Sequence, residues 1–414
     1  MKIFSPDEPL TCSKEQLSFL SYNILLPNNT EGWWIHKCYP PHTPREYTTW
    51  KYRKQLLLKQ ILGSASDIIF LQEVAESSWK EDFHSLLEAG YEGILHAKKN
   101  LFRCATFTKT SKVEIIETKH CFRTLVHLAK WNQGFIGLIN VHLSGGPHPK
   151  IRIAQIHEAL DTLKKFCVVH KIVPDSLPVV MGGDFNSNPL DAPVHHFLTN
   201  GELSSNDRDS TYPDIILTQK GKKQVFPSFF HAYSCYFPSP PPTLYGKPLI
   251  SDFCLKNNKM DIMTARNELR LSDLIKPEVK NAIQELFTHY EYKGTMDAQA
   301  CQKWLLRING GLRGGEWSNV QKSILPLTVE QFESIYIQNL TDGLWWSLDW
   351  DLHEHNIQID RSHAPLHQET LDHFVVRKLR VQGLYDIPVI KQDGLPNKEY
   401  PSDHLPIGMI IERE

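Results

Sequence analysis

Residues 180–189 read VMGGDFNSNP, an apolar run that leads into two glycines and then into a polar turn. Asp184 and Asn186 stand two positions apart, so in an extended chain both side chains point to the same side. Hydrolysis of a phosphodiester requires that the negative charge on the phosphoryl oxygens is neutralised and that a water is deprotonated. A divalent cation, a carboxylate and neutral amide donors can supply both together. The alternative interpretation is a polar turn that only closes a strand.

Other apolar runs in the chain also lie beside a polar residue of the kind that such a site needs. A lone polar residue at a strand end is ordinarily solvated or bonded to the backbone. Five such places in one chain, counting the run before Asp184, favour a shared site. The other four are residues 17–20 before Asn23, 67–71 before Glu73, 136–141 before His142, and 407–411 after Asp403 and His404.

The order of these residues, completed by Asp372, resembles that of the endonuclease/exonuclease/phosphatase superfamily. Three segments, DIIFLQEV at 67–74, GYEGILHAKK at 90–99 and FRCATFTKTSKVEII at 102–116, resemble the branch of CCR4 deadenylases, nocturnin, angel proteins and 2'-phosphodiesterases. The resemblance covers most of the first half of the chain and its C-terminal part. It implies an α/β fold, a DNase I-like four-layer β-sandwich of two mixed sheets flanked by helices.

The resemblance also implies a metal site. Glu73 corresponds to the principal magnesium ligand, and Asn23 to a residue that helps to hold the metal or the phosphate. Asp403 corresponds to a ligand for a second cation. Mg²⁺, with Mn²⁺ as an alternative, is expected to bind carboxylate oxygens while retaining several waters.

Five residues receive catalytic roles from the same resemblance. Asp184 and Asn186 correspond to the pair that activates water and binds phosphate. His142 and His404 correspond to histidines that stabilise charge on the phosphoryl oxygens, and Asp372 to the carboxylate that orients His404. A histidine held by a carboxylate has a fixed tautomer and keeps its proton more tightly, which suits it to an anionic transition state.

Substrate recognition in this branch involves a proline after the middle histidine and an aromatic residue before Asp372, which sandwich a base. Pro147 matches the first position, whereas His367 at the second is a departure from the aromatic residue. The resemblance implies a magnesium-dependent phosphodiesterase for RNA 3' ends, exoribonuclease- or deadenylase-like, or for a related 2'- or cyclic nucleotide phosphate. Two alternatives stay open: a phosphatase of a small metabolite or lipid head group, and a non-catalytic scaffold.

The central part of the chain departs from this branch. Residues 237–243 contain four prolines and indicate a stiff linker. Helical periodicity predicts helices over 277–287, 297–308 and 328–339, with a spacing that resembles an EF-hand pair. The loop at 290–295 lacks the alternating carboxylates that bind calcium, so no Ca²⁺ is expected there.

We therefore predict three segments in the chain. Residues 1–237 and 351–414 form the two parts of the endonuclease/exonuclease/phosphatase domain, and residues 238–350 form an inserted helical, EF-hand-like region. A long insertion in a loop costs little closure entropy, so the surrounding domain can tolerate it. The insert is expected to have a structural role or to bind a protein partner.

Composition indicates an intracellular enzyme. The formal net charge of the 414-residue chain is only −2, so no broad basic surface for unspecific nucleic-acid binding is expected. The 8 cysteines are scattered without CxxC pairs, which favours free thiols in a reducing compartment. The polar segment 1–16 and the lack of a long apolar run predict no membrane partner and a cytoplasmic location, with the nucleus as the alternative.

Overall fold

The computed structural model describes residues 2–5, 8–26, 43–97, 103–146, 148–188, 192–203, 207, 226, 228–246, 275–309, 325–341, 345–360, 366–390 and 394–414. Within these ranges, no helix is long and apolar enough to cross a membrane. Six cysteines in the same ranges are free thiols: Cys12, Cys104, Cys121, Cys167, Cys235 and Cys301.

The first of two central sheets has seven strands. In pairing order they are β1 (Lys2–Phe4), β14 (Leu379–Tyr385), β15 (Ile407–Arg413), β2 (Gln16–Asn23), β3 (Ile68–Val74), β5 (Arg103–Lys109) and β4 (Tyr91–Leu95). The sheet is mixed, because β2 pairs in parallel with β3 but antiparallel with β15. Strands from both ends of the chain therefore meet in this sheet.

The second sheet has six strands and is also mixed. In pairing order they are β10 (Phe230–His231), β13 (Asp372–Arg377), β9 (Val179–Asp184), β8 (Gly134–His142), β7 (Thr124–Trp131) and β6 (Val113–His120). Strand β9 pairs in parallel with β8 and antiparallel with β13, so the strand that opens the 180–189 motif lies inside the sheet.

The two sheets pack against each other through buried apolar side chains. Phe19 of the first sheet makes an edge contact with Phe374 of the second, with ring centroids 6.1 Å apart. Gly182 is required there, because a Cβ at this position would lie 2.4 Å from the Phe374 ring. Gly183 has φ +139°, and its Cβ would lie 2.0 Å from the carbonyl oxygen of Val141. The glycine pair thus permits the close backbone approach that β9 needs.

Helices cover the outer faces of both sheets. Against the first sheet, α2 (Trp50–Gly63) buries Leu57 and Ile61. Against the second, α5 (Pro149–Val169) and α6 (Pro193–Asn200) bury their apolar faces. Three short helices complete this part of the structure: α1 (Arg45–Thr48), α3 (Trp79–Asp82) and α4 (His84–Glu88). The order helix, sheet, sheet, helix confirms the predicted four-layer α/β sandwich.

A separate hydrophobic cluster holds together the helical insert, which we define by its described residues 275–309, 325–341 and 345–359. Its helices are α7 (Pro277–Thr288), α8 (Ala298–Asn309), α9 (Val329–Thr341) and α10 (Trp345–Glu354). The predicted helices over 277–287, 297–308 and 328–339 agree with α7, α8 and α9. The predicted boundary at residue 350 falls inside α10, whose Leu348 and Leu352 belong to the cluster of the insert.

Short strands β11 (Leu244–Gly246) and β12 (His367–Glu369) pair with each other on either side of the insert in the sequence. The predicted linker thus ends directly before a strand that pairs with the returning chain.

The loop between α7 and α8 does not establish an EF-hand. It runs from His289 to Asp297, and Met296 forms an antiparallel bridge with Leu327, the residue two positions before α9. Glu291 accepts a hydrogen bond from the Gly294 amide, and Asp297 caps α8 by accepting one from the Ala300 amide. These two carboxylates therefore serve the local backbone, and an EF-hand-like character stays a prediction.

Candidate active site

The predicted site residues come together because their strands end at the same edge of the sandwich. In the second sheet, the register places His142 beside Asp184 and Asp184 beside Asp372. In the first sheet, Asn23 ends β2 and lies beside Gln72, the residue before Glu73. We call the set of Asn23, Glu73, His142, Asp184, Asp372 and His404 the active-site cluster.

Asn23 connects the two sheets. Its Nδ2 donates to Asp184 Oδ2 at 3.0 Å and lies 3.3 Å from Glu73 Oε1. Its Oδ1 accepts a hydrogen bond from the Leu25 amide, and the Leu26 amide donates to Glu73 Oε2 at 2.7 Å. The turn after β2 therefore orients both the amide and the carboxylate.

Glu73 stands in an irregular part of β3. Its φ is +63°, which non-glycine residues rarely adopt, and the pairing of β3 with β5 shifts between Leu71 and Val74. Such a bulge redirects a side chain from the regular alternation of a strand. Backbone strain of this kind concentrates at functional sites, so this geometry marks Glu73 as a candidate functional residue.

Two histidines face the carboxylates. His142 Nε2 lies 3.6 Å from Asp184 Oδ2 and 3.7 Å from Glu73 Oε1. His404 Nδ1 is 2.7 Å from Asp372 Oδ2, and its Nε2 is 4.0 Å from Asp184 Oδ2. The bond to Asp372 fixes the ring orientation of His404, in agreement with the predicted pairing of these two residues.

The turn after β9 places Asn186 next to Asp184. The Asn186 amide donates to Asp184 Oδ1 at 2.7 Å, and the backbone of Asn186 has φ +47°, a conformation that asparagine tolerates. Asn186 Nδ2 donates to the carbonyl oxygen of Leu143, the residue after His142. The side-chain amide thus lies between the ends of β8 and β9.

Burial and charge shift the acidity of the cluster. Burial, reinforced by Asp403, raises the pKa of Glu73 to about 7, and burial with the nearby Asp372 raises the pKa of Asp184 to about 7. Burial lowers the pKa of His142 to about 3, with help from the charges of Arg123 and His404, so His142 is neutral. Burial opposes protonation of His404 too, but Asp372, Asp403 and Asp184 outweigh it and raise its pKa well above the ordinary value.

The carboxylates fit a divalent cation. No group of three or more histidine, cysteine or acidic side chains within the described ranges is arranged as a complete ligand set. Mg²⁺, however, needs only one or two carboxylates, because waters and substrate oxygens supply its other ligands. The raised pKa values of partly buried Glu73 and buried Asp184 indicate two carboxyl groups with too little positive charge nearby, which a cation would supply.

Asp403 lies at the side of the cluster. Its Oδ1 accepts a hydrogen bond from Ser402 Oγ at 3.3 Å, and its carbonyl oxygen accepts one from the Tyr245 amide. Its negative charge contributes to the raised pKa of Glu73. This interaction links Asp403 to the residue that is predicted to hold the principal metal ion.

The two predicted base-binding residues have different outcomes. Pro147 lies outside the described residues. His367 begins β12 opposite Gly246, and its Nε2 lies 3.7 Å from Glu369 Oε2. Its strand pairs with β11, and β11 is bridged to the cluster through Leu244 and His404. A role for His367 in base binding stays a prediction.

Sequence reasoning missed some residues of the site. Thr243 was placed in the proline-rich linker, yet its Oγ1 accepts hydrogen bonds from the amides of Leu371 and Asp372. Thr243 thereby fixes the start of β13. Arg123 lies in the turn between β6 and β7, where no motif points to it, and its carbonyl oxygen accepts a hydrogen bond from the His142 amide. Both contacts join residues that are far apart or unmarked by any motif in the sequence, so only the tertiary structure reveals them.

A cavity of about 450 Å³ opens next to this edge. Arg103, which pairs with Val74 across the sheet, lines it and forms an ion pair with Glu76. Val74 directly follows Glu73, so Arg103 connects the lining of the cavity to the strand that carries Glu73. The other lining residues are Ser77, Ser78, Trp79, Lys80, Glu81, Leu95, His96 and Ala97.

Fold and site together define a class of protein, an α/β two-sheet sandwich with a phosphoesterase-type cluster at one edge. The chain belongs to the Endonuclease/Exonuclease/phosphatase family, whose model matches residues 20–404. Members of this family generally depend on a divalent metal ion.

Curated relatives and solved structures extend this assignment. The chain is 27% identical over 223 residues to carbon catabolite repressor protein 4 homolog 3 of Arabidopsis thaliana, covering 50% of this chain and 48% of that protein. It is 28% identical over 211 residues to protein angel homolog 2 of Mus musculus, covering 46% and 38%. The chain thus spans about half the length, or less, of these relatives. A crystal structure of ANGEL2 with adenosine-2',3'-vanadate matches with a TM-score of 0.56 at 18% identity, covering 96% of both chains, which shows a shared fold.

Proposed function

We propose that this chain is a magnesium-dependent phosphodiesterase that hydrolyses RNA 3' ends or a related 2'- or cyclic nucleotide phosphate. The observation that carries the proposal is the position of Asn23, which hydrogen-bonds buried Asp184 and partly buried Glu73 between two histidines. Names of the relatives support the substrate class. A relative from Mycosarcoma maydis, 24% identical over 256 residues, is called a 3'-5'-exoribonuclease subunit.

In this proposal Glu73 and Asn23 would hold the principal Mg²⁺, and Asp403 a second cation. A bound divalent cation neutralises phosphoryl oxygens and lowers the pKa of a coordinated water. Asp184 is suited to accept the proton of the attacking water, because its pKa of about 7 lies near the working pH. The Asn186 turn holds Asp184 in place through its amide.

The histidines divide the remaining work. His404 carries its proton, since Asp372 and neighbouring carboxylates raise its pKa, and it brings positive charge to the phosphoryl oxygens. His142 is neutral and can donate a hydrogen bond without adding charge. Preorganised donors aimed at developing negative charge are worth about 10²- to 10³-fold each in rate. Asn186 would add a further amide donor on the same side.

The test is hydrolysis of a substrate panel by the purified protein with Mg²⁺, with Mn²⁺ and with chelator. The panel contains poly(A), mixed-sequence RNA, RNA with a 2',3'-cyclic phosphate end, 2'-5' oligoadenylate and phosphorylated small molecules. Asp184→Asn is the inactive variant, and Asp351→Asn is the matched control, because it changes a buried aspartate of the helical insert instead.

We expect metal-dependent turnover of at least one RNA substrate that Asp184→Asn abolishes and Asp351→Asn retains. Turnover of only a phosphorylated small molecule would replace the proposal with a metabolite or lipid head-group phosphatase. If the folded protein hydrolyses no substrate of the panel in the presence of Mg²⁺ or Mn²⁺, a non-catalytic scaffold would replace the proposal.

A further inference from the structure

Arg123 stands at the edge of the second sheet that carries the active-site cluster. It directly precedes Thr124, the first residue of β7, which lies opposite Val141 in the register. The carbonyl oxygen of Arg123 accepts the hydrogen bond of the His142 amide at 3.1 Å. The backbone therefore holds Arg123 next to His142 whatever its side chain does.

The guanidinium of Arg123 differs from those of the buried arginines. Arg53, Arg152 and Arg377 each donate to backbone carbonyl oxygens, which explains them as structural residues. Half-buried Arg123 makes no side-chain hydrogen bond or ion pair with any residue in the described ranges, and its buried Nε has no partner there. A buried donor without a partner costs free energy, so a structural role does not explain an arginine at this position.

The charge of Arg123 acts on the cluster without being neutralised by it. After burial, Arg123 is the strongest contribution to the low pKa of His142. Arg123 nevertheless lies beyond ion-pairing distance of Glu73 and Asp184. It thus stands beside the metal site rather than in it, and its positive charge is available to an anionic ligand.

The turn that carries Arg123 also contacts the cavity of about 450 Å³. His96, which lines this cavity, has its Nε2 at 2.6 Å from the carbonyl oxygen of Cys121, two residues before Arg123. A polynucleotide that crosses from the active-site cluster to the cavity would therefore pass Arg123. Trp79, Lys80 and Arg103 line the same cavity and offer a ring and further positive charge.

We propose that Arg123 binds the phosphate that flanks the scissile phosphate in an oligonucleotide substrate. This inference rests on the proposed phosphodiesterase function and adds a preference to it, because a substrate with only one phosphate cannot make the contact. A charge-assisted bond from a guanidinium to phosphate is frequently bidentate and stronger than a neutral hydrogen bond. Arg123 is thus a substrate-positioning and specificity-determining residue.

The experiment compares an oligoadenylate with adenosine 2',3'-cyclic phosphate, or with bis(4-nitrophenyl) phosphate if the cyclic compound is not turned over. For Arg123→Ala, the ratio of kcat/KM for the oligonucleotide to that for the single-phosphate substrate should fall about 10- to 100-fold. Most of the loss should appear in KM, and added guanidinium ion should restore part of it. Arg123→Lys should lose less than Arg123→Ala.

The matched control is Lys119→Ala, which removes an exposed positive charge from the same hairpin. This control should leave the ratio unchanged. If Lys119→Ala lowers this kcat/KM ratio as much as Arg123→Ala does, Arg123 acts only through the net positive charge of the hairpin and the assignment is wrong. An unchanged ratio in Arg123→Ala, or an equal loss on both substrates with a lowered melting temperature, would overturn the assignment.

A binding measurement separates this inference from the proposed function. In an Asp184→Asn background, oligoadenylate affinity is measured over a range of salt concentrations, with and without Arg123→Ala. The slope of log K against log[salt] should decrease in magnitude by about one for the double variant. If oligoadenylate affinity depends on Arg123 but the unmodified chain hydrolyses no RNA, the phosphate-binding role of Arg123 stands and the proposed function is wrong. If the chain hydrolyses RNA and Arg123→Ala changes neither affinity nor rate, only the phosphate-binding role is wrong.

Discussion

Asp184 in the active-site cluster and Asp351 in the helical insert are both buried aspartates, but their neighbours differ. Asp351 accepts hydrogen bonds from the hydroxyls of Tyr290 and Tyr336 and from the Trp304 indole, so both of its oxygens have donors. Asp184 accepts bonds from Asn23 and from the Asn186 amide, but it also faces other carboxyl groups.

The difference separates a structural carboxylate from a functional one. A buried charge is tolerated when donors surround it, as at Asp351. At Asp184, burial and the charge of Asp372 raise the pKa to about 7. Keeping this carboxylate ionised in the folded protein therefore costs free energy, which a bound cation can offset. Stability should therefore depend on Asp351, and activity on Asp184.

The largest effect is expected for Asp184→Asn. Hydrolysis should fall by about 10³-fold or more, because the variant loses the proton acceptor and a charge that helps to hold the metal. The free energy of unfolding at neutral pH should stay the same or rise, since a desolvated charge is removed. Activity assays and denaturant titrations on the same preparation test both parts, and a large loss of stability would show that Asp184 is structural.

The opposite result is expected for Asp351→Ala. Removal of this carboxylate leaves the hydroxyls of Tyr290 and Tyr336 without their acceptor, whereas the Trp304 indole N–H keeps the Tyr336 hydroxyl oxygen. The free energy of unfolding should decrease by about 2 kcal/mol or more, because each buried donor without an acceptor costs about 1–3 kcal/mol. Turnover per folded molecule should not change. As the control, Asp351→Asn keeps one acceptor oxygen and should lose less, and a loss of turnover in the folded variant would contradict the separation.

A smaller effect should distinguish the active-site region by its pH dependence. Buried His195 and His373, together with partly buried His231, form a group with ring centroids 4.3 to 5.6 Å apart, and His373 directly follows Asp372 in the chain. Burial lowers the pKa of His231 to about 3 and that of His373 to about 4. The unfolded chain therefore binds more protons than the folded one below the ordinary histidine pKa of about 6.5, and stability present above this pH is lost as the pH falls.

The measurement for this group is the free energy of unfolding between about pH 7.5 and pH 5, where each such histidine should contribute a loss of about 1–2 kcal/mol. His231→Phe is the informative variant, since His231 Nε2 has no hydrogen-bond partner among the described residues and a phenyl ring can keep the ring contacts. Its stability should fall less steeply with decreasing pH. An unchanged slope would mean that His231 is not held neutral.

The smallest effect concerns the start of a helix in the insert. Thr328 and Gln331 form a capping box before α9, in which each side chain accepts a hydrogen bond from the backbone amide of the other residue. Thr328→Ala should lower the free energy of unfolding by about 1 kcal/mol. The comparison in the other region is Thr49→Ala before α2, where Thr49 Oγ1 accepts the Tyr52 amide and donates to the Glu46 carbonyl oxygen. The matched control is Gln331→Ala, which keeps the Thr328 cap and removes only the acceptor of the Thr328 amide. An unchanged stability of Gln331→Ala would show that the reciprocal bond adds nothing to the cap.

Much of the architecture was predictable because short stretches of sequence carry the patterns of apolar and polar residues that define strands and helices. The apolar runs and the polar residues at their ends predicted the strands that carry Asn23, Glu73, His142 and Asp184, and the family and four-layer fold are confirmed. Helices α7, α8 and α9 of the insert followed from their periodicity, whereas α10 was not predicted. The predicted boundary at 350 falls inside α10, whose buried apolar residues continue to Leu352.

Other features had no local signal. The pairing of Asp372 with His404 came from the resemblance alone, and Thr243 was assigned to a linker although it supports the start of β13. Glu73 was predicted as a ligand, but its left-handed backbone and the adjacent bulge depend on the register of β3 with β5. Contacts of this kind join residues that are far apart in the chain.

The sequence by itself determined the strands, the helices and the chemical types of the site residues, because periodicity and side-chain chemistry are local properties of the chain. Only the tertiary structure decided that Asp351 would be surrounded by hydrogen-bond donors and that Asp184 would lie among other carboxyl groups. It also placed Arg123 beside His142 through a single backbone hydrogen bond between two strands. Burial and electrostatic fields depend on every neighbour in space, and no stretch of sequence contains those neighbours.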